Sequence, residues 1–484
     1  MERKNQNRPV RQNALNPDYH PRQQNALDPN YRPEQSGVPE TESSTAAEKT
    51  GGGSKKPFPL WLLLILLALT FALGVFASRF IPDRQDPGQS AQTPPQSNPP
   101  SADQPSVTPV TLKVWSAPED QLNAQSWLCR MEKRFEELHP EYDITWVNEI
   151  CNEGDAATMI AADPAAAADV YMYTNDQLGA LVQAGALSRL DGGFLTQVQN
   201  DVSATYVTSV TAADGNVYGF PISPNTWFMY YNKSLLSEED VKSMEACLSR
   251  GVVAFPLTNS WYLPAFFFAA GGTLFGESGN DAAAGAQFGG QPGYDATGAI
   301  LDLLYHPNFL NDDQGMYGFQ GLVSGTVAAY FSGSWDYIGL YEALGENLGA
   351  APVPTVMING QPKQLKAYAG SKAVGVNPRS NHHKAAMEFA ALLASSDSLL
   401  LRFELRNITP SVTALMNSPQ ISGSIVAKAE MATMAYASTL QPSIPEMGLI
   451  WGTMENFGRS LVSGEINRNN LTQKVDQLET DLNP

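Results

Sequence analysis

Three stretches set an aromatic ring beside a carboxylate, and each follows a run that reads as a β-strand. Trp115 to Asp120 follows the alternating run 110–115, and Tyr173 to Asp176 follows 169–173. Ser332-Gly333-Ser334-Trp335-Asp336-Tyr337 follows the apolar run 326–331. An aromatic face covers C–H surface and a neighbouring carboxylate accepts hydroxyl protons, which is recognition chemistry. Signs of bond-breaking chemistry are weaker. The five histidines, His20, His139, His306, His382 and His383, have no metal-ligand spacing. The chain lacks a nucleophile elbow, a P-loop and a Cys-x-x-Cys pair, so no cofactor is expected.

The elements around these stretches alternate in type. Leu128, Met131, Phe135 and Leu138 recur at helical spacing after the first strand, and His139-Pro140 stops that helix. A second strand, 143–147, and a short Ala-rich helix near 156–162 lead to the third strand, 169–173. This order implies a parallel sheet with right-handed crossovers, whose ligands lie outside the carboxyl ends of its strands. The aromatic–acid stretches are at those ends. Farther on, 214–221 reads as a hairpin, 227–231 and 251–257 as strands, and 261–270 as a helix. The chain closes with helices from about 425.

Pro57 to Ser78 contains no charge over 22 residues and lies between Lys55-Lys56 and Arg79. A helix needs about 20 such residues to cross a bilayer, so 57–80 is expected to be a transmembrane signal anchor with Trp61 at the interface. Nine basic residues precede the run, which places the N-terminus in the cytosol. Cleavage after Val75-Phe76-Ala77 is the rival reading, and a 56-residue leader weighs against it. Residues 1–56 carry a repeat of period 12, Gln12–Tyr19 returning as Gln24–Tyr31. Their Pro, Asn and Gln content predicts disorder. The repeat reads either as a bivalent motif for a cytosolic partner or as a duplicated spacer. Residues 81–109 hold eight prolines and form a linker reaching about 90 Å at most.

Residues 110–484 exceed what one core usually holds, so two lobes are expected. Beyond residue 57 the chain has 21 basic and 42 acidic groups, a balance that disfavours nucleic acid as a partner. Cys129 falls on the first helix and Cys151 just past the second strand. An antiparallel return of the helix brings them close, which predicts a disulfide outside the membrane with Cys247 left free.

Four stretches together resemble one family. They are Asp169-V-Y-M-Y-T-N-D-Q-L-G-A-L-V-Q-A-G-A-L187, Gly215-N-V-Y-G-F-P-I-S-P-N-T-W-F-M-Y-Y-N-K-S-L-L236, Ala328-A-Y-F-S-G-S-W-D-Y337 and Pro442-S-I-P-E-M-G-L-I-W451. Their order and spacing resemble the family-1 extracellular solute-binding proteins of sugar ABC transporters, most nearly the maltose/maltodextrin-binding proteins. The resemblance implies a periplasmic-binding-protein-like α/β fold with discontinuous lobes. Lobe 1 would take about 110–222 and 372–417, and lobe 2 about 226–368 and 424–484. The cleft between them would close on an oligosaccharide delivered to permease subunits.

Carried over residue by residue, sugar-stacking aromatics fall on Tyr173, Trp261, Trp335 and Trp451. Polar cleft positions fall on Glu119, Asp120, Asp176, Asn225, Asn259 and Glu455. One pyranose face is patterned with C–H groups and its rim with hydroxyls, which suits such a set. Asn225 and Asn259 are amides where maltose binders carry carboxylates, and Asp120, Gln177, Gly452 and Glu455 replace basic or aromatic rim groups. The expected product is a membrane-anchored binding component facing outward and without enzymatic activity. A tethered sugar sensor and a glycoside hydrolase are the alternatives.

Overall fold

The first strand shows why this chain starts a sheet. In β1 (Thr108–Ser116) Val110, Leu112 and Val114 are buried on alternate positions while Thr111 is exposed. The helix Trp127–Leu138 buries Leu128, Met131 and Phe135 on one face. Leu138 is exposed instead, because the helix ends there and His139 caps it by donating its backbone N–H to Phe135. β2 (Tyr142–Ile150) pairs parallel with β1 from Thr108↔Tyr142 to Ser116↔Ile150. β3 (Val170–Thr174) joins β1 on its other side, also parallel. The computed structural model describes residues 107–163, 166–276, 279–313 and 316–484. The expected repeat, anchor and nearly all of the linker lie outside them. Among the described residues no helix is long and apolar enough to cross a membrane.

β4 (Phe220–Asn225) runs straight into β5 (Phe228–Asn232), which belongs to a second sheet. In that sheet Leu348–Ala351 and Ala329–Ser332 flank β5, followed by β6 (Val253–Phe255) and Phe309–Asn311. The strand Ala367–Val376 then returns to the first sheet. It pairs antiparallel with β3 and β4, and parallel with Ser438–Leu440.

Each sheet organises its own core. Trp127, Phe135, Tyr171, Tyr173, Phe220 and Phe389 belong to the first, and Trp227, Phe255, Tyr262, Phe266 and Phe331 to the second. Each fully buried side chain of this size contributes about 1.5–3 kcal/mol. The strand Ala367–Val376 begins in one core with Ala367 and Tyr368 and ends in the other with Ala373 and Val374. The β4–β5 run makes the opposite passage. A third passage follows Val412 of the first core and reaches Val426 and Ala429, which pack on the second sheet's other face against Phe228 and Tyr230. Three connections of this kind make two lobes with a cleft at their junction.

The expected Cys129–Cys151 disulfide is absent, and all three thiols are free. Cys151 is buried past the end of β2 with its sulfur turned to the Asn152 carbonyl at 3.4 Å. Burial pushes its thiol up to about 11, with Asp155 and Glu153 adding to the effect. Cys129 is half-buried one turn before Glu132, whose carboxylate accepts from Asn148 of β2. The antiparallel return of the helix therefore joins these elements through a hydrogen bond. Cys247 is packed in the second core and donates to the Asp240 carbonyl at 3.3 Å.

Candidate functional site

At the junction of the passages lies a hollow of about 310 Å³ walled by three indoles, Trp261, Trp335 and Trp451. Trp335 sits in the 3-10 turn Ser334–Asp336 that ends the strand Ala329–Ser332, and it stays 39% exposed. Exposure on that scale leaves part of the ring open to the hollow. Trp261 follows β6 in a turn held by its backbone N–H donating to Asn259 Oδ1 at 2.8 Å. Its ring stands 6.0 Å from that of Trp335 at 36°. Trp451 lies on the helix Met447–Val462 and meets Tyr368 edge-on at 6.0 Å.

Polar groups complete the wall. Asp176 occupies the turn Asn175–Gln177 at the end of β3. Burial pushes its carboxyl up, against hydrogen bonding from Thr174 and its own backbone. Asn225 closes β4 and directs its amide to Gln441 Oε1 at 3.5 Å. Thr174, Ser260, Gln441 and Lys372 also line the hollow. The Tyr368 hydroxyl, beside Asp176, is buried without a partner.

Beneath Gly154, which forms part of the lining, runs a buried chain of charges. Arg406 Nη1 and Arg402 Nη2 donate to the two oxygens of Asp120 at 2.8 and 2.7 Å. Arg402 Nη2 also reaches Glu153 Oε1 at 3.4 Å, and Lys372 Nζ reaches Glu153 Oε2 at 3.3 Å. Burial alone would raise the Glu153 carboxyl, but Lys372 and Arg402 override it and hold it at about 2. Lys372 Nζ also stands 5.4 Å from the centre of the Trp335 ring.

Of the ten candidate binding residues, Trp261, Trp335, Trp451, Asp176 and Asn225 line this hollow. The other five lie outside its lining. Tyr173 is fully buried and donates to the Tyr218 carbonyl at 2.5 Å, because β3 buries both of its faces. Asp120 is inaccessible, with both oxygens bound by guanidinium groups. Glu119 stands 3.8 Å from Arg406, outside the lining. Glu455 points along its helix to Arg459 at 2.6 Å. Asn259 lines a neighbouring hollow of about 420 Å³ behind Trp335, with Asp313 and Asp336. Sequence reasoning missed Lys372 and Gln441. The signal for Lys372 was the two-residue period of its strand, which sets Tyr368, Gly370 and Lys372 on one face.

Glu430 is buried at the third passage, on the helix Ile425–Tyr436. It accepts from Thr409 at 2.5 Å and from Ser334, with Lys372, Tyr206 and Tyr230 around it. Burial pushes its carboxyl up to about 7 against those hydrogen bonds. An unfolded glutamate ionises near 4.5, so between 4.5 and 7 the folded state keeps a proton that the unfolded state has lost. Its contribution is full below pH 4.5 and is lost as pH rises through 7. At 1.36 kcal/mol per pKa unit the loss is about 3 kcal/mol. Urea unfolding at pH 5 and pH 7.5 should show a smaller drop in Glu430→Gln than in wild type. Equal drops would remove Glu430 as the cause.

A family model for bacterial extracellular solute-binding proteins matches residues 131–433. A galactooligosaccharide-binding protein of Bacillus subtilis is 26% identical over 321 residues, 61% of this chain and 72% of that protein. The maltodextrin-binding protein MdxE of the same species is 26% identical over 328 residues, 62% of this chain and 73% of its own. Among solved structures, one determined with acarbose is 39% identical with a TM-score of 0.75, covering 77% of this chain and 98% of that one. The maltodextrin-binding protein MalE1 of L. casei BL23, solved without ligand, is 25% identical with a TM-score of 0.70, covering 78% and 100%. The match extends over both lobes and the passages between them, and the chain belongs to the bacterial extracellular solute-binding proteins and is similar to the maltodextrin-binding members among them.

Proposed function

We propose that the chain is the binding component of a carbohydrate ABC importer, that it captures maltooligosaccharides between its lobes, and that residues 57–80 tether it to the membrane. One observation carries the reading: three indoles and a rim of Asp176, Asn225, Gln441 and Lys372 converge on one hollow where two lobes meet. Indoles supply area for the C–H faces of pyranoses, and the rim supplies partners for hydroxyls. Asp176 is the one carboxylate among the lining residues, and glycoside hydrolysis takes two flanking the scissile bond. The relatives support the ligand class, since they include a maltooligosaccharide ABC transporter solute-binding lipoprotein of Streptococcus pneumoniae, 26% identical over 322 residues.

Titrating maltotriose, maltotetraose, acarbose and a galactooligosaccharide into the full chain by calorimetry tests this. A maltooligosaccharide should bind, and at a hundredfold excess over Kd should stabilise the fold by about 2.7 kcal/mol. Binding of the galactooligosaccharide alone would replace the sugar. Release of reducing ends would replace the class of function.

A further inference from the structure

Lys372 and Asp176 are the two ionisable residues that line the hollow. Asp176 belongs to the set that the sequence pointed to, whereas Lys372 comes from the strand that passes between the lobes. Its backbone faces Thr174 of β3 on one side and Ser223 of β4 on the other. Directly after it the register with β4 shifts, Lys372↔Ser223 being followed by Ala373↔Pro221. An irregularity of this kind bends a strand and re-aims a side chain, and such features gather next to binding sites.

The side chain is largely covered, at 18% exposure, and its ammonium is held at two points. Glu153 Oε2 binds it at 3.3 Å from the first lobe, and the Trp335 ring lies 5.4 Å away on the second. Behind Glu153 stand Arg402 and Asp120, so the acid that tethers Lys372 is itself fixed. A pyranose stacked on Trp335 would lie about 3.5–4.0 Å above the ring, in the space the ammonium overlooks. The tether keeps the ammonium from leaving. An oxygen on the rim of a sugar stacked there comes within its reach, and one carboxylate contact leaves N–H donors to spare.

We propose that Lys372 is a specificity-determining residue of the cleft, donating from its ammonium to an oxygen on the rim of the sugar ring that stacks on Trp335. This rests on the reading of the hollow as a saccharide site. The donor bridges the lobes, with its anchor on one and its sugar on the platform of the other. It selects rings that offer an acceptor at that point of the rim, and it disfavours rings with an ammonium there.

The test is calorimetric titration of maltotriose into the full chain and its variants. Lys372→Met should weaken binding roughly tenfold to a hundredfold, as for loss of a hydrogen bond to a charged group. Lys372→Arg should keep most of the affinity. In a Trp335→Ala background the further loss from Lys372→Met should shrink below about threefold, because the ring it addresses is no longer held. The double variant Glu153→Gln/Lys372→Met removes both charges of this pair while Arg402 keeps Asp120; its thermal unfolding without ligand checks the fold, and it should show the same loss of affinity. Wild-type binding with unchanged or tighter binding by Lys372→Met would overturn the assignment and leave the saccharide reading standing. Absence of binding by wild type to every saccharide tried would end both.

Discussion

Replacing Arg402 with methionine should destabilise the folded chain by about 3–5 kcal/mol. Arg402 is 2% exposed and its guanidinium lies 4.7 Å from the Trp127 ring centre, between Asp120 and Glu153. Methionine retains most of the packing but leaves two buried carboxylates short of a partner. Asp120 would keep Arg406 and Glu153 would keep Lys372, so neither is fully stranded. The cost is high because Asp120 and Glu153 are buried, and a buried charge that loses a partner is poorly compensated. A neutral partner change should recover part of it. Asp120→Asn with Arg402→Met should cost less than the two single losses added, since the residues share one network. Urea midpoints of the three variants measure this. A loss under about 1 kcal/mol for Arg402→Met would mean the network carries little net stability.

That network also shows where sequence stops being informative. The strand and helix order from β1 to β3 was legible because alternation and helical spacing are local properties. Asp120 was legible as an acid at a strand end, but its partner Arg402 lies 282 residues on, and no local pattern joins them. Tyr173 lies in the core for a related reason. A strand end places a residue near the cleft, but whether the ring points to ligand or core depends on what covers each face, and β3 is covered on both. Trp335, Trp261 and Trp451 were named through the family resemblance, and the structure brings them to one hollow. Lys372 escaped although the resemblance puts a lobe crossing at 368–372, because the position of a crossing does not say which of its side chains faces the cleft. Element direction alone brings Cys129 and Cys151 together, but it leaves out where the sulfur atoms point.

Trp335→Ala should weaken maltooligosaccharide binding by a factor between tens and several hundred, corresponding to about 2–4 kcal/mol. The indole is the most exposed of the three platforms. It stands against Trp261, near the Lys372 ammonium, and between the cleft and the hollow that holds Asp336. The fold should survive the change, because the ring is 39% exposed and outside the second core. The ring's seat gives a second handle on the same prediction. Gly333 has an extended backbone, φ −111°, that any residue can adopt, yet a Cβ there would come within 2.1 Å of the Trp335 ring. Gly333→Ala should therefore keep the strand and displace the indole, lowering affinity without removing any ligand contact by deletion. Trp451→Ala provides the comparison, since Trp451 packs on Tyr368 and its loss should cost stability as well as affinity. Titrations of maltotriose into the three variants, with thermal unfolding of each without ligand, separate these effects. Wild-type affinity in Trp335→Ala would move the stacking site elsewhere in the cleft. Wild-type affinity in Gly333→Ala alone would show that the indole can find a second seat from which it still meets the sugar.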